Sequence, residues 1–283
     1  MQNKKIFFIL GPSRSGSSMF ENFLFKQNIA TACGELRWIF ERGKIKNEIC
    51  SCGAKFNDCS FWTKIHLKKE DAKLGAYFRR KFDNPINIFF GKYLGKNFKV
   101  RRDYLHYTSL IRKVYLQSLN ISSNIIDNSK SPFYLIVLRD ALKNNKIALK
   151  VIHFNRDLGG IINSYQKKKI RWESADHELM KRKNFLEVIF YWIAINLISK
   201  LVPVESSSKR YIRYDNFCKN PTAVLNLPIF LNEQTDMQVL NHSISGNPDR
   251  FEGFKEIKQK ITKKKKINPL ARLIIIISNY FFY

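Results

Sequence analysis

Residues 4–24, KKIFFILGPSRSGSSMFENFL, decide the fold that the rest of the sequence supports. The apolar run at 6–10 stops at Gly11-Pro12 and predicts a short buried strand. Apolar residues at helical spacing follow the loop and predict a helix: Met19, Phe20, Phe23 and Leu24. Gly11 and Gly16 can adopt backbone angles that other residues avoid. A strand, a glycine-containing turn and a helix N-terminus form a cradle for a phosphate-like anion, because N–H groups and the helix dipole point into it.

The loop carries its positive charge in a different place from the P-loop of nucleotide hydrolases. The pattern GxxxxGK[ST] needs lysine directly after the second glycine, and Ser17 stands there instead. Arg14 supplies a guanidinium inside the loop, which can bind two oxygens of a phosphate or sulfate at once. Ser17 and Ser18 add hydroxyl donors at the start of the helix. For this stretch alone, the alternative is an ordinary strand-turn-helix whose serines only cap the helix.

The loop GPSRSGSS at 11–18 resembles the 5′-phosphosulfate-binding loop of the sulfotransferases, which has the form GxxRSG[ST][ST] after an N-terminal strand. That family transfers a sulfuryl group from 3′-phosphoadenosine-5′-phosphosulfate (PAPS) to an acceptor. The resemblance is to bacterial-type members with a P-loop-like fold, and it extends from Lys5 to about Phe251. It implies that the loop binds the co-substrate and that Arg14 also acts in catalysis. The implied loop contacts are Ser13, Arg14, Ser15, Gly16, Ser17 and Ser18.

Two further segments carry candidate catalytic residues. Glu35, in a CGE pattern, stands where several sulfotransferase branches carry an acidic residue, which implies a general base that deprotonates the acceptor hydroxyl. The segment DNSK at 127–130 resembles the D-x-SK segment of bacterial members. It implies that Lys130 stabilises the sulfonate or the bridging oxygen in the transition state. The structural alternatives are a glutamate paired with Arg37 or Arg42, and a solvated lysine in a turn.

The second strong motif is IALKVIHFNRDLGGIINSY at 147–165. Residues 147–154 predict a strand, Arg156 follows its carboxyl end, and a helix bearing Ser164 comes next. This order resembles the family's 3′-phosphate site, strand-R-x₇-S-helix. It implies that Arg156 and Ser164 bind the 3′-phosphate, and that Lys168, one helical turn beyond, adds charge. Open α/β sheets hold nucleotides at the carboxyl ends of their strands, in agreement with this placement.

Two C-terminal segments complete the resemblance. RYIRYD at 210–215 predicts a short strand and resembles a family segment that places Tyr214 at the adenine. HSISGNPDRF at 242–251 resembles the GNPxRF segment, where a loop closes over the nucleotide, and implies a phosphate contact from Arg250. The alternative is an irregular loop in which Asn-Pro turns the chain. Between the motifs, the apolar helix predicted at 185–201 is assigned to the core.

Three of the five cysteines lie within ten residues: Cys50, Cys52 and Cys59. With His66 nearby, the pattern C-x-C-x₆-C could ligate zinc, although it lacks the paired CxxC form of strong zinc motifs. A disulfide is a second interpretation and suits a reducing compartment less well. The CSCG…C…FW segment is similar to one in bacterial sulfotransferases and is interpreted as structural. The transfer reaction itself is expected to need no metal, because Arg, Lys and backbone dipoles handle the charge.

Composition limits the partners and the location. The 283 residues include 50 Lys+Arg and 23 Asp+Glu, a net charge of +27, which favours anionic partners. A hydrophobic content of 45% indicates a globular protein rather than a disordered one. The apolar runs at 6–10 and 273–283 are too short for a signal peptide or a spanning helix. We therefore expect a cytoplasmic protein, with lysines at 263–266 that permit peripheral contact with an anionic membrane.

These observations predict a single α/β domain over residues 1–283. We expect a mostly parallel central sheet flanked by helices, a helical insertion at 64–122 that lines the acceptor cleft, and a basic and apolar tail at 259–283. The expected acceptor is a hydroxyl or amine of a glycan, or of a lipid-linked or small hydroxylated metabolite, and no specific nucleic acid. Two other classes stay open: a P-loop kinase-like phosphotransferase, and a non-catalytic basic module that binds nucleic acid or membrane.

Overall fold

Short strands and helices alternate along most of the chain in the computed structural model, which describes residues 4–168, 170–171, 174, 177–180, 182–230, 240–245, 276 and 280. The strands are β1 (Lys5–Leu10), β2 (Thr31–Gly34), β3 (Asn124–Lys130), β4 (Ala148–Asn155), β5 (Lys209–Arg213) and β6 (Asn241–Ile244). The α-helices are α1 (Ser17–Lys26), α2 (Lys69–Lys81), α3 (Pro85–Tyr93), α4 (Lys99–Ile121), α5 (Pro132–Leu142), α6 (Leu158–Gln166), α7 (Phe185–Leu201) and α8 (Tyr214–Lys219). A 3₁₀ turn (Leu36–Trp38) and a π-helix (Ile39–Ile45) follow β2.

The described strands form one six-stranded sheet in the order β5-β4-β1-β3-β2-β6. Every neighbouring pair is parallel. The predicted α/β class with a mostly parallel sheet is therefore confirmed. Parallel neighbours need crossover connections, and the helices between the strands supply them.

Both faces of the sheet are covered, which is why β1 is a continuous apolar run rather than an alternating one. Its residues point alternately into two cores. Ile6, Phe8 and Leu10 join the core that contains residues of α4 and α5. Phe7 and Ile9 join a second core with residues of α1 and α8. The strand that precedes the loop at 11–18 is thus held from both sides.

Residues 64–122, predicted to form a helical insertion, contain three α-helices, α2, α3 and α4. α2 and α4 bury apolar side chains in the core that covers one face of the sheet. α3 exposes much of its apolar surface, with Ile86, Phe89 and Tyr93 all solvent-accessible. The insertion therefore packs on the domain mainly through α2 and α4.

The helix predicted at 185–201 is present as α7, but only one side of it is core. Trp192 is completely buried and packs with residues of α6. On the other side Phe190 is 70% exposed and Leu201 is 78% exposed. The prediction of a core helix was wrong for that side, because α7 is apolar around its whole circumference and buries one face.

No helix among the described residues is long and apolar enough to cross a membrane. The predicted basic and apolar tail at 259–283 lies outside the described residues except for Ile276 and Tyr280. Both of these are helical and exposed.

Candidate functional site

The four central strands carry the sequence motifs to one edge of the sheet. Since the strands are parallel, their carboxyl ends lie together, where open α/β sheets hold their ligands. Leu10, the last residue of β1, is paired in register with Lys130 on one side and His153 on the other. Glu35 directly follows β2, and Arg156 directly follows β4. The motifs at 11–18, 35, 130 and 156 therefore border a single edge.

The loop after β1 has the geometry of an anion cradle. Gly16 is the N-cap of α1 with φ of 94°, and no side chain caps this helix. The alternative prediction, in which Ser17 and Ser18 only cap the helix, is therefore wrong. A Cβ atom at Gly16 would lie 2.5 Å from Cε2 of Tyr214, so only glycine fits here. The buried Ser15 Oγ has no hydrogen-bond partner among the described residues, which leaves a donor for an anion.

Two of the predicted catalytic residues have strained backbones. Arg14 has φ of 70° and Lys130 has φ of 64°, both in the left-handed region. Such a conformation costs a non-glycine residue about 1–3 kcal/mol and is concentrated at functional sites. The Arg14 guanidinium lies 5.5 Å from the centre of the Tyr165 ring. The amide of Ser13 donates to the Tyr191 hydroxyl at 2.8 Å, which ties the loop to α7.

Glu35 and Lys130 form a largely buried ion pair. Lys130 Nζ donates to Glu35 Oε1 at 2.7 Å, and Trp38 Nε1 donates to Glu35 Oε2 at 3.0 Å. Burial alone would raise the pKa of Glu35, but the Lys130 charge and hydrogen bond, helped by Arg42 and Arg37, lower it overall. Glu35 is therefore a carboxylate at neutral pH. Lys130 is buried, so the alternative of a solvated turn lysine is wrong.

A cavity of about 540 Å³ opens beside this ion pair. Four of the predicted site residues line it together: Ser13, Arg14, Glu35 and Lys130. Its other walls include charged and aromatic side chains that the motifs did not indicate: Arg37, Trp38, Arg42, Tyr165, Arg171, Lys183 and Tyr191. Asp83 lines it from the loop between α2 and α3, within the segment predicted to form the acceptor-side insertion.

The other predicted nucleotide contacts lie on the β4–β5 side of the loop. The Arg156 guanidinium is 4.3 Å from the centre of the Tyr214 ring, the same ring that approaches Gly16. Arg156 Nε is buried without a hydrogen-bond partner among the described residues. β5 ends at Arg213, so Tyr214 is the first residue of α8 and not part of a strand as predicted. None of these side chains lines the cavity beside Glu35.

Two further predicted contacts, Ser164 and Lys168, lie on or just after α6. Ser164 is half-buried on α6, which begins two residues after Arg156. Lys168 is exposed and lies past the end of α6 at Gln166. It is therefore not one helical turn beyond Ser164, because the chain is already extended at Lys167. Arg250 and the GNPxRF motif at 246–251 lie outside the described residues.

Comparison with known proteins gives matches at the level of structure. No protein-family model and no curated protein matches the sequence. The chain is similar in structure to sulfotransferase domains. The sulfotransferase domain of the Synechococcus PCC 7002 olefin synthase matches with 16% identity and a TM-score of 0.48, over 100% of this chain and 96% of that one. The sulfotransferase domain of the curacin biosynthetic pathway matches with 16% identity and a TM-score of 0.49, over 100% and 99%.

A buried acidic side chain that the sequence motifs missed holds together the strands beneath this site. Glu21, on α1, accepts hydrogen bonds from the amide of Gly34 at 2.7 Å and from Asn128 Nδ2 at 2.9 Å. It also accepts one from the Ser243 hydroxyl at 3.0 Å. Three strands, β2, β3 and β6, thus share one acceptor. An acidic residue between the apolar pairs Met19-Phe20 and Phe23-Leu24 was the available sequence signal.

Asp127 has the corresponding role in β3. It accepts hydrogen bonds from the amides of Ser129 at 2.9 Å and Leu36 at 3.3 Å, and from the Tyr115 hydroxyl. Burial raises the pKa of Asp127 to about 7. Ser129 in turn accepts from the amide of Arg37 at 3.0 Å. Asp127 therefore fixes the backbone on both sides of the Glu35–Lys130 pair.

The insertion reaches the site through a stack of charged groups on Trp38. The guanidinium of Arg42 lies 4.0 Å from the Trp38 ring centre, and that of Arg79, on α2, lies 3.8 Å away. Arg79 is paired with Glu41 at 2.8 Å and with Asp83 at 3.0 Å. Since Trp38 donates to Glu35, α2 supports the orientation of that carboxylate.

Proposed function

We propose that this protein is a sulfotransferase that moves a sulfuryl group from PAPS to an acceptor hydroxyl. The observation that carries the proposal is the cavity shared by Arg14, Glu35 and Lys130 at the mouth of the loop after β1. A guanidinium, an ammonium group and a carboxylate within one cavity suit transfer of an anionic group to a nucleophile that must lose a proton.

The loop and its neighbours would hold the co-substrate. The N–H groups at the start of α1 and the Arg14 guanidinium would bind the 5′-phosphosulfate, and Ser15, Ser17 and Ser18 would add hydroxyl donors. As implied by the resemblance, Arg156 would bind the 3′-phosphate together with Ser164 and Lys168, and Arg250 would add a further phosphate contact. Tyr214, which already carries the Arg156 guanidinium over its ring, would contact the adenine. Among the described residues the buried Ser15 hydroxyl and Arg156 Nε have no hydrogen-bond partner, which supports this assignment.

The carboxylate and the ammonium would divide the chemistry. PAPS supplies a sulfuryl group whose bond to the phosphate oxygen breaks as the acceptor oxygen bonds to sulfur. Glu35 would accept the hydroxyl proton, and Lys130 would stabilise negative charge on the sulfonate and the bridging oxygen. In the present structure Lys130 is bound to Glu35 at 2.7 Å. When Lys130 turns to an anionic ligand, the pKa of Glu35 would rise and the carboxylate would become a better base.

The cavity wall supports a hydroxylated, polar acceptor. Its lining beside Glu35 combines cations with Trp38 and Tyr165, and apolar side chains such as Phe133 and Ile195 complete the wall, so it suits an acceptor with both polar and apolar faces, as a sugar ring has. A glycan hydroxyl is the first acceptor class we propose, followed by a lipid-linked or small hydroxylated metabolite. An amine acceptor would use the same base, since it also loses a proton during transfer.

Calorimetric titration with adenosine 3′,5′-bisphosphate (PAP), beside ATP with Mg²⁺, tests the proposal. Micromolar binding of PAP with none of ATP–Mg²⁺ is the expected result. Arg156→Ala should weaken PAP binding, and Arg112→Ala, an exposed arginine on α4, is the matched control. A preference for ATP–Mg²⁺ would favour a kinase-like phosphotransferase. Binding of neither nucleotide would leave a basic binding module, whose affinity for nucleic acid or anionic vesicles should fall steeply with salt.

A further inference from the structure

Three cysteines and one histidine meet at the outer edge of the sheet, away from the cavity. Cys50, Cys52 and Cys59 come from the loop after the π-helix, and His242 comes from β6. One ligand atom of each lies within 4.8 Å of all the others. His66, the histidine nearest in sequence, is exposed and is not part of this cluster. We propose that these four side chains form a structural zinc site.

The spacing of the ligand atoms is that of a tetrahedral metal site. With Zn–S of about 2.3 Å and Zn–N of about 2.0–2.1 Å, two sulfurs are separated by about 3.8 Å, and a sulfur and a nitrogen by about 3.6 Å. Cys52 Sγ and Cys59 Sγ are 3.6 Å apart, and Cys59 Sγ and Cys50 Sγ are 3.7 Å apart. His242 Nδ1 lies 3.7 Å from Cys50 Sγ and 3.2 Å from Cys59 Sγ. Four ligands with three thiolates select zinc over harder divalent ions.

The groups around the cluster hold the ligands in place. The amides of Phe61 and Trp62 donate hydrogen bonds to the Cys59 sulfur, as outer partners of metal thiolates do. The Phe61 ring stacks on the His242 imidazole with centres 5.0 Å apart, which fixes the ring plane. Trp62 Nε1 donates to the His242 carbonyl oxygen at 3.0 Å. Cys50 and Cys59 are fully buried, and only Cys52 is exposed.

Zinc at this position would fasten β6 to the body of the domain. β6 and Ser245, the residue after it, both bind the segment that carries Glu35. The Ile244 carbonyl oxygen accepts the Glu35 amide at 2.9 Å, and the Ser245 hydroxyl accepts from Arg42. The loop itself is bound to β6 by the Ser51 amide, which donates to the Ser243 carbonyl at 3.1 Å. The metal therefore stabilises the strand that carries the backbone partner of the proposed base, and takes no part in transfer.

Metal analysis of the purified full chain, prepared under reducing conditions and reloaded with Zn²⁺ before desalting, tests this site. We expect about one zinc per chain in the wild type. Cys52→Ser, the variant least disruptive to packing, and His242→Ala should retain less than about a tenth of that amount. His66→Ala and Cys218→Ser, a cysteine outside the cluster, are the matched controls and should keep the metal. Co²⁺ in place of zinc should give thiolate-to-metal charge-transfer absorption that Cys52→Ser weakens.

A stability measurement covers the case in which a ligand variant does not fold. A chelator should lower the Tm of the wild type by at least about 5 °C, and added Zn²⁺ should restore it. Wild-type protein that takes up no zinc overturns the proposal, as does iron in its place. A chain lighter by two hydrogen atoms under non-reducing conditions, which marks a disulfide, also overturns it. Zinc lost in His66→Ala but kept in His242→Ala would show that His66 is the ligand and would overturn the proposed set.

Discussion

The two sides of the carboxyl edge are built in different ways. On the β1–β4 side, the anion cradle comes from one continuous stretch, residues 11–18, with Arg156 directly after the neighbouring strand. On the β2–β6 side, Glu35 is positioned by groups from distant segments, among them Lys130 and the backbone of Ile244. We propose that the first side binds the co-substrate and that the second carries the base. Variants on the two sides should therefore affect different measurable quantities.

The largest difference between an effect on turnover and an effect on nucleotide affinity is expected from Glu35→Gln. Removing the proposed base should lower turnover by about 100- to 10,000-fold, because proton transfer by a positioned side chain contributes that much. Affinity for PAP should stay within about twofold, since Glu35 lies outside the proposed nucleotide contacts. Radiolabelled sulfate transfer and calorimetry measure the two quantities. Glu205→Gln, at an exposed glutamate, is the matched control. Wild-type turnover in Glu35→Gln would show that Glu35 is not the base.

Gly34→Ala tests the packing of the β2–β6 side. Gly34 has φ of +73°, and a Cβ atom there would lie 2.3 Å from the Ile244 carbonyl oxygen. We expect a loss of about 2–4 kcal/mol in the free energy of unfolding, from the strained φ and the displaced strand together. Urea denaturation measures it. Gly53→Ala separates the two causes, because Gly53 also has positive φ but its Cβ would meet nothing within 4 Å. Equal losses in both variants would show that strand contact contributes little.

Arg14→Ala should act on the opposite side. Loss of the loop guanidinium should weaken PAP binding by about 10- to 100-fold, the range for a hydrogen-bonded charge. The unfolding free energy should change by less than about 1 kcal/mol, because the side chain is not part of either sheet core. Arg112→Ala removes the same charge from an exposed site and controls for the +27 net charge. Equal weakening by both arginine variants would mean that binding is only long-range attraction.

The smallest effect is a pH dependence of the free energy of unfolding, which comes from Asp127 beside the Glu35–Lys130 pair. The pKa of Asp127 is raised by burial to about 7, above its ordinary value of 3.8. The native state therefore holds a proton that the unfolded chain releases, so the contribution of Asp127 to stability is fully present below about pH 4 and is lost as pH rises towards 7. The contribution is about 1.4 kcal/mol per pH unit. Denaturation at pH 5.5 and 6.5 should show this slope in the wild type and lose it in Asp127→Asn. Parallel slopes in the two proteins would contradict the assignment.

Local sequence was enough to predict the cradle side. This side is one consecutive stretch: β1, the loop at 11–16 with Arg14 and Gly16, and α1. Each residue type has one physical role there. Arg156 after β4 was predictable for the same reason. The parallel sheet followed from buried apolar runs separated by helices, and the structure confirms it. A short motif specifies backbone geometry well, because its hydrogen bonds and dihedral angles are local.

The other side could not be predicted from spacing alone, because its partners are far apart in the sequence. Glu21 meets Ser243 across 222 residues, and Cys59 meets His242 across 183. His66 was the histidine that sequence proximity favoured, yet it is exposed on the other end of the loop. Lys168 lies off the helix for a smaller reason, since α6 ends at Gln166, two residues before it. Only the packing of the folded chain decides which of several polar residues becomes the partner of a buried polar group.

The position of β6 has a consequence for how the protein folds during synthesis. The amide of Leu240, just before β6, bonds to the Thr31 hydroxyl across 209 residues. Until that late segment leaves the ribosome, β2 is an open sheet edge whose N–H and C=O groups can pair with another chain. Such distant pairing is slow to form. The strand beside the proposed base therefore completes the sheet last, and chaperones would have most to protect in that interval.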